Sequence, residues 1–440
     1  MTGYWARFAW LNDSVAERVR LVEGDGRWLD VNAGRDPEAG DRVLPGLVLP
    51  GLANTHSHAF HRALRGRTHA GGGTFWTWRE GMYRLAGALD PDRYFRLARA
   101  VYAEMALAGI SVVGEFHYLH HAPGGRPYGE ANAFGQALLA AAVEAGIRIT
   151  LLDTCYLAGG LDADGYRPLD AVQQRFADAG ALEWADRVSS LQPTDRARIG
   201  AAVHSVRAVP EAALAQVIGA FPGRPLHVHL SEQPAENEAT LARFGCTPTE
   251  LLSRHGFGGP LHTAVHATHL TPSDLGRLGS GRTNISFCPS TERDLADGLG
   301  PARALADAGA AITLGTDQNA VIDLLAEAQA LEQDERLASL RRGVFRPAEL
   351  VRQLTVAGHH SLGWADAGEL AAGQRADLTA LRLDTVRTAG VDPAQAVLVA
   401  GAADIDTVIV DGQPLVSGGQ HRNGDVAVEL AREISALWAG

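Results

Sequence analysis

The sequence contains no lysine, and arginine supplies all 39 of its basic side chains. This absence excludes a Schiff-base lysine, a carbamylated lysine that bridges two metal ions, and the P-loop motif GxxxxGK(S/T). The motifs HExxH and GxSxG, and the dipeptide Pro-Cys that begins PCxxC, are also missing. The zinc proteases, serine hydrolases and nucleobase deaminases that use those motifs are therefore disfavoured.

Cysteine is scarce as well, since only Cys155, Cys246 and Cys288 occur. An odd number of widely separated cysteines argues against a disulfide scaffold and for reduced thiols in the cytoplasm. The start of the chain lacks a basic segment followed by an apolar one, and polar side chains such as Gln136 and Glu144 interrupt the most apolar later stretch. We therefore expect no signal peptide and no membrane-spanning segment.

Acidic residues outnumber basic ones, because the sequence has 51 acidic residues and 39 arginines, which gives a net charge of −12. It also has no dense basic run. Nucleic acid and anionic membranes are therefore disfavoured as partners, and a small-molecule substrate is expected. With 46% apolar and 20% charged residues, the composition is that of a folded globular protein. A chain of 440 residues is long enough for about three domains, or for one large barrel with a smaller domain.

Short apolar or β-branched runs alternate with segments of helical periodicity through most of the chain. The runs cover residues 47–58, 110–116, 148–156, 199–205, 226–231, 264–268, 283–289 and 311–317. Eight strands that alternate with helices are typical of an α/β fold with a parallel sheet, and their number predicts a (β/α)8 TIM barrel.

The two ends of the chain show a different pattern, with short strand-like pieces broken by Gly, Asp and Pro. We predict that both ends form one small β-sandwich domain, made of residues 1–48 and of residues 371–440, the latter with a C-terminal helix. Residues 49–370 would then form the catalytic barrel.

Metal-ligand side chains lie at or near the ends of several predicted strands. Two histidines, His56 and His58, stand two residues apart, so in an extended chain both imidazoles project to the same side. The fifth, sixth and eighth runs carry further candidates, namely His227, His229, His266 and Asp317. Because the carboxyl ends of the strands meet at one face of such a barrel, these side chains are expected to converge on a metal site.

Segments of the chain resemble the amidohydrolase superfamily in motif and in order. They are PGLANTHSHAF at 50–60, HLSE at 229–232, VHATHL at 265–270, GTD at 315–317 and GQRADL at 373–378. Four others resemble the formimidoylglutamate deiminase family within it: FWTWRE at 75–80, EFHYLHH at 115–121, HSVRAV at 204–209 and CPSTERDLADG at 288–298. The resemblance covers nearly the whole chain and implies a metal-dependent hydrolase barrel with a small β domain.

The resemblance implies that His56, His58, His229 and Asp317 hold one metal ion and leave a position open for water. Three nitrogen ligands and one oxygen ligand suit a catalytic Zn²⁺, and Fe²⁺ fits the same ligand types. Because the chain has no lysine, it cannot form the carbamate that bridges two metals in some members of the superfamily. A mononuclear site is therefore expected.

The resemblance also assigns the proton transfers. Glu232 would carry a proton from water to the departing nitrogen, although a carboxylate in the first turn of a helix is also explained by the helix dipole. His266 would hydrogen-bond the nucleophile or the developing charge, with His269 as the competing choice. Asp317 would accept a proton from the water while it ligates the metal.

Substrate contacts follow from the same motifs. N-formimino-L-glutamate, the substrate that the resemblance implies, carries two carboxylates, and arginine binds a carboxylate in a bidentate manner. The resemblance implies carboxylate contacts from Arg79 and Arg207 and neutral polar contacts from Tyr118 and His204.

Two positions depart from the family pattern. His61, which also belongs to the implied substrate site, stands where the family usually has Gln near the formimino group. Gln318 follows the metal aspartate where Ser is usual. Either residue tunes binding or marks an altered substrate.

The implied activity is a metal-dependent aminohydrolase that converts N-formimino-L-glutamate and water to N-formyl-L-glutamate and ammonia in histidine degradation. One alternative is another deaminase of the superfamily that acts on a purine, pterin or triazine ring. The other is a catalytically silent, metal-stabilised binding protein. The resemblance and the exposed helices of such a barrel favour a homodimer.

Overall fold

The computed structural model describes residues 1–69 and 75–439, with backbone alone for residues 75 and 76. The strands are β1 (Thr2–Leu11), β2 (Ser14–Gly24), β3 (Arg27–Asn32), β4 (Arg42–Pro50), β5 (Leu52–Ser57), β6 (Ile110–His117), β7 (Arg148–Cys155), β8 (Gly160–Asp162), β9 (Gly165–Arg167), β10 (Ala197–Val203), β11 (Leu226–Leu230), β12 (His262–His266), β13 (Asn284–Phe287), β14 (Ala311–Leu314), β15 (Leu378–Leu381), β16 (Ile405–Val410), β17 (Gln413–Ser417) and β18 (Gln420–His421).

The α-helices lie mainly between the barrel strands. They are α1 (Phe75–Ala88), α2 (Pro91–Leu107), α3 (Ala133–Ala145), α4 (Ala181–Ser189), α5 (Glu211–Gly219), α6 (Pro234–Phe244), α7 (Pro248–Arg254), α8 (Pro272–Ser280), α9 (Pro289–Asp294), α10 (Ala302–Ala308), α11 (Leu324–Ser339), α12 (Pro347–Arg352), α13 (Gly358–Ser361) and α14 (Val426–Trp438). Proline begins several of them, where its missing N–H costs nothing and its fixed φ suits a helix start.

Eight parallel strands form the barrel in the order β5-β6-β7-β10-β11-β12-β13-β14. A parallel bridge between Ser57 and Asp317 joins the first strand to the segment that follows the last. The backbone N–H groups of Thr316 and Asp317 both donate to the carbonyl of His56, at 3.0 and 2.9 Å. The predicted (β/α)8 barrel is confirmed, and its closure places the HSH and GTD segments side by side.

The first predicted run, residues 47–58, is two strands rather than one. Gly51 separates β4, which pairs with β1 and β15, from the barrel strand β5. A Cβ at Gly51 would lie 2.6 Å from Oγ of Ser111 and 2.9 Å from Cβ of Asp377. The chain therefore crosses between the two sheets at a point where only glycine fits. The other barrel strands differ from the predicted runs by a few residues at their ends.

Both chain ends form one sheet in the order β18-β17-β16-β15-β4-β1-β2-β3, which confirms that they fold together. The outer strand β3 returns to the segment before β15, where the N–H of Trp28 donates to the carbonyl of Gln374 at 2.9 Å. The sheet thereby encloses a second apolar core, which includes Tyr4, Val19, Trp28 and Leu378. None of the helices in the described part of the chain is long and apolar enough to cross a membrane.

A buried ion pair joins the barrel to this sheet. Arg148, at the start of β7, is fully buried and bonds both carboxylate oxygens of Asp377, the residue before β15. The same guanidinium donates to Asp411 at 2.9 Å and lies over the ring of Trp364. Burial opposes the charge of Arg148, but the neighbouring aspartates raise its pKa. The pair ties the amino-terminal end of the barrel to the sheet.

We expect Asp377→Asn to lower the free energy of unfolding by about 2 to 3 kcal/mol, because it leaves the buried Arg148 with a single carboxylate partner. The matched control is Asp384→Asn, which removes the exposed ion pair to Arg382 and should leave stability unchanged. Urea unfolding followed by circular dichroism measures both. Equal stability of the two variants would show that the buried pair does not hold the sheet to the barrel.

Candidate active site

Four buried side chains meet where the barrel closes: His56, His58, His229 and Asp317. The Nε2 atoms of His56 and His229 lie 3.1 Å apart, and Oδ1 of Asp317 lies 3.3 Å from Nε2 of both His56 and His58. A tetrahedral ion with ligand bonds of about 2.1 Å separates its donor atoms by roughly 3.4 Å. These three distances, with all four donor atoms within 4.8 Å of one another, are compatible with one divalent ion.

Hydrogen bonds orient these imidazoles for ligation. Nδ1 of His58 donates to the carbonyl of Phe116 at 2.9 Å, and Nδ1 of His229 donates to the carbonyl of His204 at 3.0 Å. Each ring therefore turns an unprotonated Nε2 to the common centre. Burial lowers the pKa of His56, His58 and His229, which keeps the rings neutral, the form that binds metal. Lone pairs directed at one point in this way suit a cation between them.

The backbone turns sharply at three of the strand ends. Ser231, His266 and Asp317 have positive φ values of 49°, 68° and 43°, which residues other than glycine rarely adopt. The N–H of Ser231 is held by the buried carboxylate of Glu236 at 2.9 Å, and that of Asp317 by the carbonyl of His56. These turns aim the adjoining side chains across the end of the barrel, and such strain is typical of functional sites.

A chain of acidic and imidazole groups lies beside the metal group. Nε2 of His266 is 3.9 Å from a carboxylate oxygen of both Glu232 and Asp317, and its Nδ1 is 3.3 Å from Oε1 of Glu292. Burial alone would lower the pKa of His266, but these carboxylates raise it to about 10. Burial raises the pKa of Glu232, against the lowering effect of His266 and Arg207. Glu232 and His266 therefore interact electrostatically beside the four ligands.

A cavity of about 220 Å³ opens from the metal group. Every predicted site residue that lies in the described chain lines it, except His56, which lies beneath: His58, His61, Arg79, Tyr118, His204, Arg207, His229, Glu232, His266 and Asp317. Nε of Arg207 donates to Glu236 at 2.7 Å, and Nε of Arg79 donates to Tyr83 at 2.9 Å. Cationic and neutral polar groups therefore face the same space as Glu232.

Of three other residues singled out in the sequence, Gln318 and His269 lie outside the cavity and His61 lines it. Gln318 turns away from the cavity, and its amide donates to Asp294 at 2.7 Å. His269 contacts the carbonyl of Asp297 at 2.7 Å and does not line the cavity, whereas His266 does. His61 lines the cavity and contacts the hydroxyl of Tyr118 at 2.9 Å. Of the two departures from the family pattern, His61 alone faces the substrate space.

A second group of potential ligands, His117, His120 and Asp153, lies in the barrel wall. Arg187 donates to both oxygens of Asp153 at 2.9 Å, and the indole of Trp184 donates to one of them at 3.0 Å. The carboxylate is therefore already neutralised and hydrogen-bonded. This group is a structural ion-pair cluster and offers little to a metal ion.

The sequence interpretation gave no role to several residues of the site. Glu236 holds Arg207, Glu292 contacts His266, and Gln173 donates to Tyr156 at 2.9 Å in the cavity wall. Glu292 stands within the quoted motif CPSTERDLADG, and Glu236 lies four residues after the end of HLSE, so acidic residues in or beside the motifs were an available signal. Gln173 lies in an irregular segment whose pattern gave none.

Comparisons with known proteins agree with this geometry. The Amidohydrolase family profile matches residues 47–415. Formimidoylglutamate deiminase of Pseudomonas aeruginosa is 31% identical, over 96% of each chain, and 8-oxoguanine deaminase of the same bacterium is 32% identical, over 96% of this chain and 95% of its own. A solved amidohydrolase from Brucella melitensis is 30% identical, with a TM-score of 0.92 and full coverage of both chains.

A closed parallel barrel with a buried group of three histidines and one aspartate defines a metal-binding hydrolase of the TIM-barrel class. The match along most of its length places the chain in the amidohydrolase family. It groups there with deaminases, which are hydrolases of C–N bonds.

The two histidine groups allow a matched test of metal binding. We expect the purified protein to hold about one divalent ion per chain, and His229→Ala to lose it, because three remaining ligands no longer complete the set. His120→Gln should keep the ion, since its neighbour Asp153 is committed to Arg187. Elemental analysis by inductively coupled plasma mass spectrometry measures the content. Loss of metal from His120→Gln, with retention in His229→Ala, would reverse the assignment.

Proposed function

We propose that the protein is a Zn²⁺-dependent deiminase that converts N-formimino-L-glutamate and water to N-formyl-L-glutamate and ammonia, a step of histidine degradation. One observation carries this proposal. The cavity that opens from the metal group and Glu232 is also lined by the guanidinium groups of Arg79 and Arg207. A site with a hydrolytic base and two such cations suits a small dicarboxylate. The 31% identity to a formimidoylglutamate deiminase supports the same conclusion.

The four ligands His56, His58, His229 and Asp317 suit a single Zn²⁺ with an open position. When bound, the ion supplies Lewis acidity that lowers the pKa of water at the site to about 7. Asp317, whose pKa is lowered by the histidines around it, stays a carboxylate able to accept a hydrogen bond from that water.

Glu232 moves the proton between the reacting groups. Its carboxylate takes a proton from the attacking water and delivers it to the imine nitrogen, so that nitrogen leaves as ammonia while the formyl carbon stays on the glutamyl nitrogen. His266, held at Nδ1 by Glu292, points its Nε2 toward Glu232 and Asp317 and stabilises the charge that develops between them. The protons balance, because one water supplies the oxygen of the product and two protons, which Glu232 moves in turn to the imine nitrogen, and that nitrogen already carries the third hydrogen of ammonia.

The remaining cavity residues bind the glutamyl part. Arg207 and Arg79 contact its carboxylates, and Tyr118 and His204 supply neutral hydrogen-bonding groups between them. His204 is buried, and its pKa is lowered by burial and by both arginines, so its ring stays neutral. His61, beside Tyr118 and 4.6 Å from the ring of His58, takes the place near the formimino group.

A ring deaminase is the second candidate, because 32% identity to 8-oxoguanine deaminase comes with aromatic side chains in the cavity wall. These are Trp78, Tyr83, Tyr118, Tyr156 and Phe176. A flat, uncharged ring, however, brings no carboxylate for the cavity arginines to bind. The silent binding protein is disfavoured because the ligand set and Glu232 are all in place.

A substrate panel separates the candidates. We expect the zinc-loaded protein to release ammonia from N-formimino-L-glutamate and to leave 8-oxoguanine, adenosine and a methoxytriazine essentially unchanged, because only the first carries two carboxylates for the arginines. A coupled glutamate dehydrogenase assay measures the ammonia. Rapid release from a ring compound, with none from N-formimino-L-glutamate, would replace the proposed substrate with a ring.

We expect Glu232→Gln to keep its metal and fold while kcat falls by at least about 100-fold, because the amide can neither accept nor deliver the proton. Glu238→Gln, at an exposed position on helix α6, which begins two residues after Glu232, is the matched control and should keep wild-type kcat. Steady-state ammonia release and metal analysis are measured on both variants. Undiminished turnover in Glu232→Gln would remove this residue from the mechanism.

A further inference from the structure

A small hairpin lies over the cavity at the carboxyl end of the barrel. Strands β8 and β9 pair antiparallel directly after β7, with Gly160 opposite Arg167 and Asp162 opposite Gly165. Gly159, Gly160, Leu161 and Arg167 all line the cavity. The hairpin therefore brings a third arginine to the space where the proposed substrate binds, one that the sequence motifs did not indicate.

The backbone of this hairpin is fixed on both sides. The hydroxyl of Tyr166 shares its one proton between the carbonyls of Val206 and Val209, at 3.1 and 3.4 Å, in the loop that carries Arg207. The amide of Gln173 donates to the carbonyl of Gly159 at 3.1 Å. Arg167 thus projects from a rigid support beside the Arg207 loop, which is the preorganisation that a specific binding contact needs.

The guanidinium of Arg167 is weakly engaged by the protein. It lies over Gly160, where an added Cβ would come within 3.1 Å of its Cζ. The one carboxylate within 4.0 Å of it in the described chain is that of Asp162, at 3.9 Å, and both side chains are about half exposed. An exposed pair at that distance contributes little, so the charge of Arg167 is available to a ligand.

Arg207, by contrast, already has carboxylate partners. Its Nε bonds Glu236 at 2.7 Å, and its Nη2 lies 3.6 Å from Glu232. A substrate with two carboxylates brings two negative charges into a space where Arg207 is largely compensated. Arg167, whose one carboxylate neighbour in the described chain is the half-exposed Asp162, is therefore well placed to balance part of this charge.

We infer that Arg167 is a specificity-determining residue that binds one of the two substrate carboxylates at the mouth of the cavity. This inference rests on the proposed function. It explains why glycine stands opposite Arg167 in the hairpin, because a side chain at position 160 would push the guanidinium out of the cavity.

The experiment compares Arg167→Gln with a control, Arg243→Gln. Arg243 is exposed and does not line the cavity, and its Cζ lies 4.0 Å from where a Cβ of Gly165 would be. For N-formimino-L-glutamate we expect kcat/KM to fall by about 10-fold or more in Arg167→Gln, through KM and with little change in kcat, because a charge-assisted bond remote from the reacting atoms is lost. Arg167→Lys should recover part of the loss, and Arg243→Gln should match the wild type.

Two monocarboxylate analogues identify the carboxylate. N-formimino-4-aminobutyrate lacks the α-carboxylate, and N-formimino-2-aminobutyrate lacks the side-chain carboxylate. We expect Arg167→Gln to lower kcat/KM for one of them and not for the other, since one analogue lacks the group that Arg167 binds.

The outcomes separate the two claims. Hydrolysis of N-formimino-L-glutamate by the wild type, with kcat/KM unchanged in Arg167→Gln, would overturn this inference and leave the proposed function standing. An equal loss for both analogues would also overturn it, as a general effect on the cavity. No ammonia release by the zinc-loaded wild type would overturn the proposed function and this inference together.

Discussion

Four buried donor atoms that face one point are the constraint on which the rest of the structure depends. Nε2 of His56 lies 3.1 Å from Nε2 of His229 and 3.3 Å from Oδ1 of Asp317, and carbonyl groups orient the imidazoles of His58 and His229 toward the common centre. Lone pairs held so closely in a buried place repel unless a cation lies between them. Since His56 comes from the first barrel strand and Asp317 follows the last, the hydrogen bonds that close the barrel also assemble this site.

Carboxylates lie nearest to this centre, and arginine lies farther out. Nearest to the ligands, His266 lies among the carboxylates of Glu232, Asp317 and Glu292. Farther out, Glu236 holds Arg207 and also the strained turn before Glu232, so one buried carboxylate positions both the proposed acid/base and a cation. The proposed substrate has the complementary arrangement, with a neutral or cationic amidine at one end and carboxylates at the other.

The barrel and the convergence of metal-ligand side chains were predictable from local rules, whereas the choice of His56, His58, His229 and Asp317 among them came from the resemblance to the amidohydrolase superfamily. Alternate residues of a strand share a face, and the strand ends of a barrel converge, so HSH and the later histidines could be placed without coordinates. The break at Gly51 was not predictable, since apolar residues continue through both strands. Gln318 was misleading because the positive φ of Asp317 turns the next side chain away. Arg167 was missed because strands of three residues are too short to show alternation.

The fate of the formimino carbon tests the central claim most directly. With N-formimino-L-glutamate labelled with ¹³C at that carbon, the account predicts that the zinc-loaded protein yields a single ¹³C NMR signal for N-formyl-L-glutamate and releases unlabelled ammonia. Glu232 faces the imine nitrogen in the proposed geometry and protonates it in preference to the glutamyl nitrogen. Labelled formamide as the main product, with free glutamate, would contradict both the orientation of the substrate and the role given to Glu232.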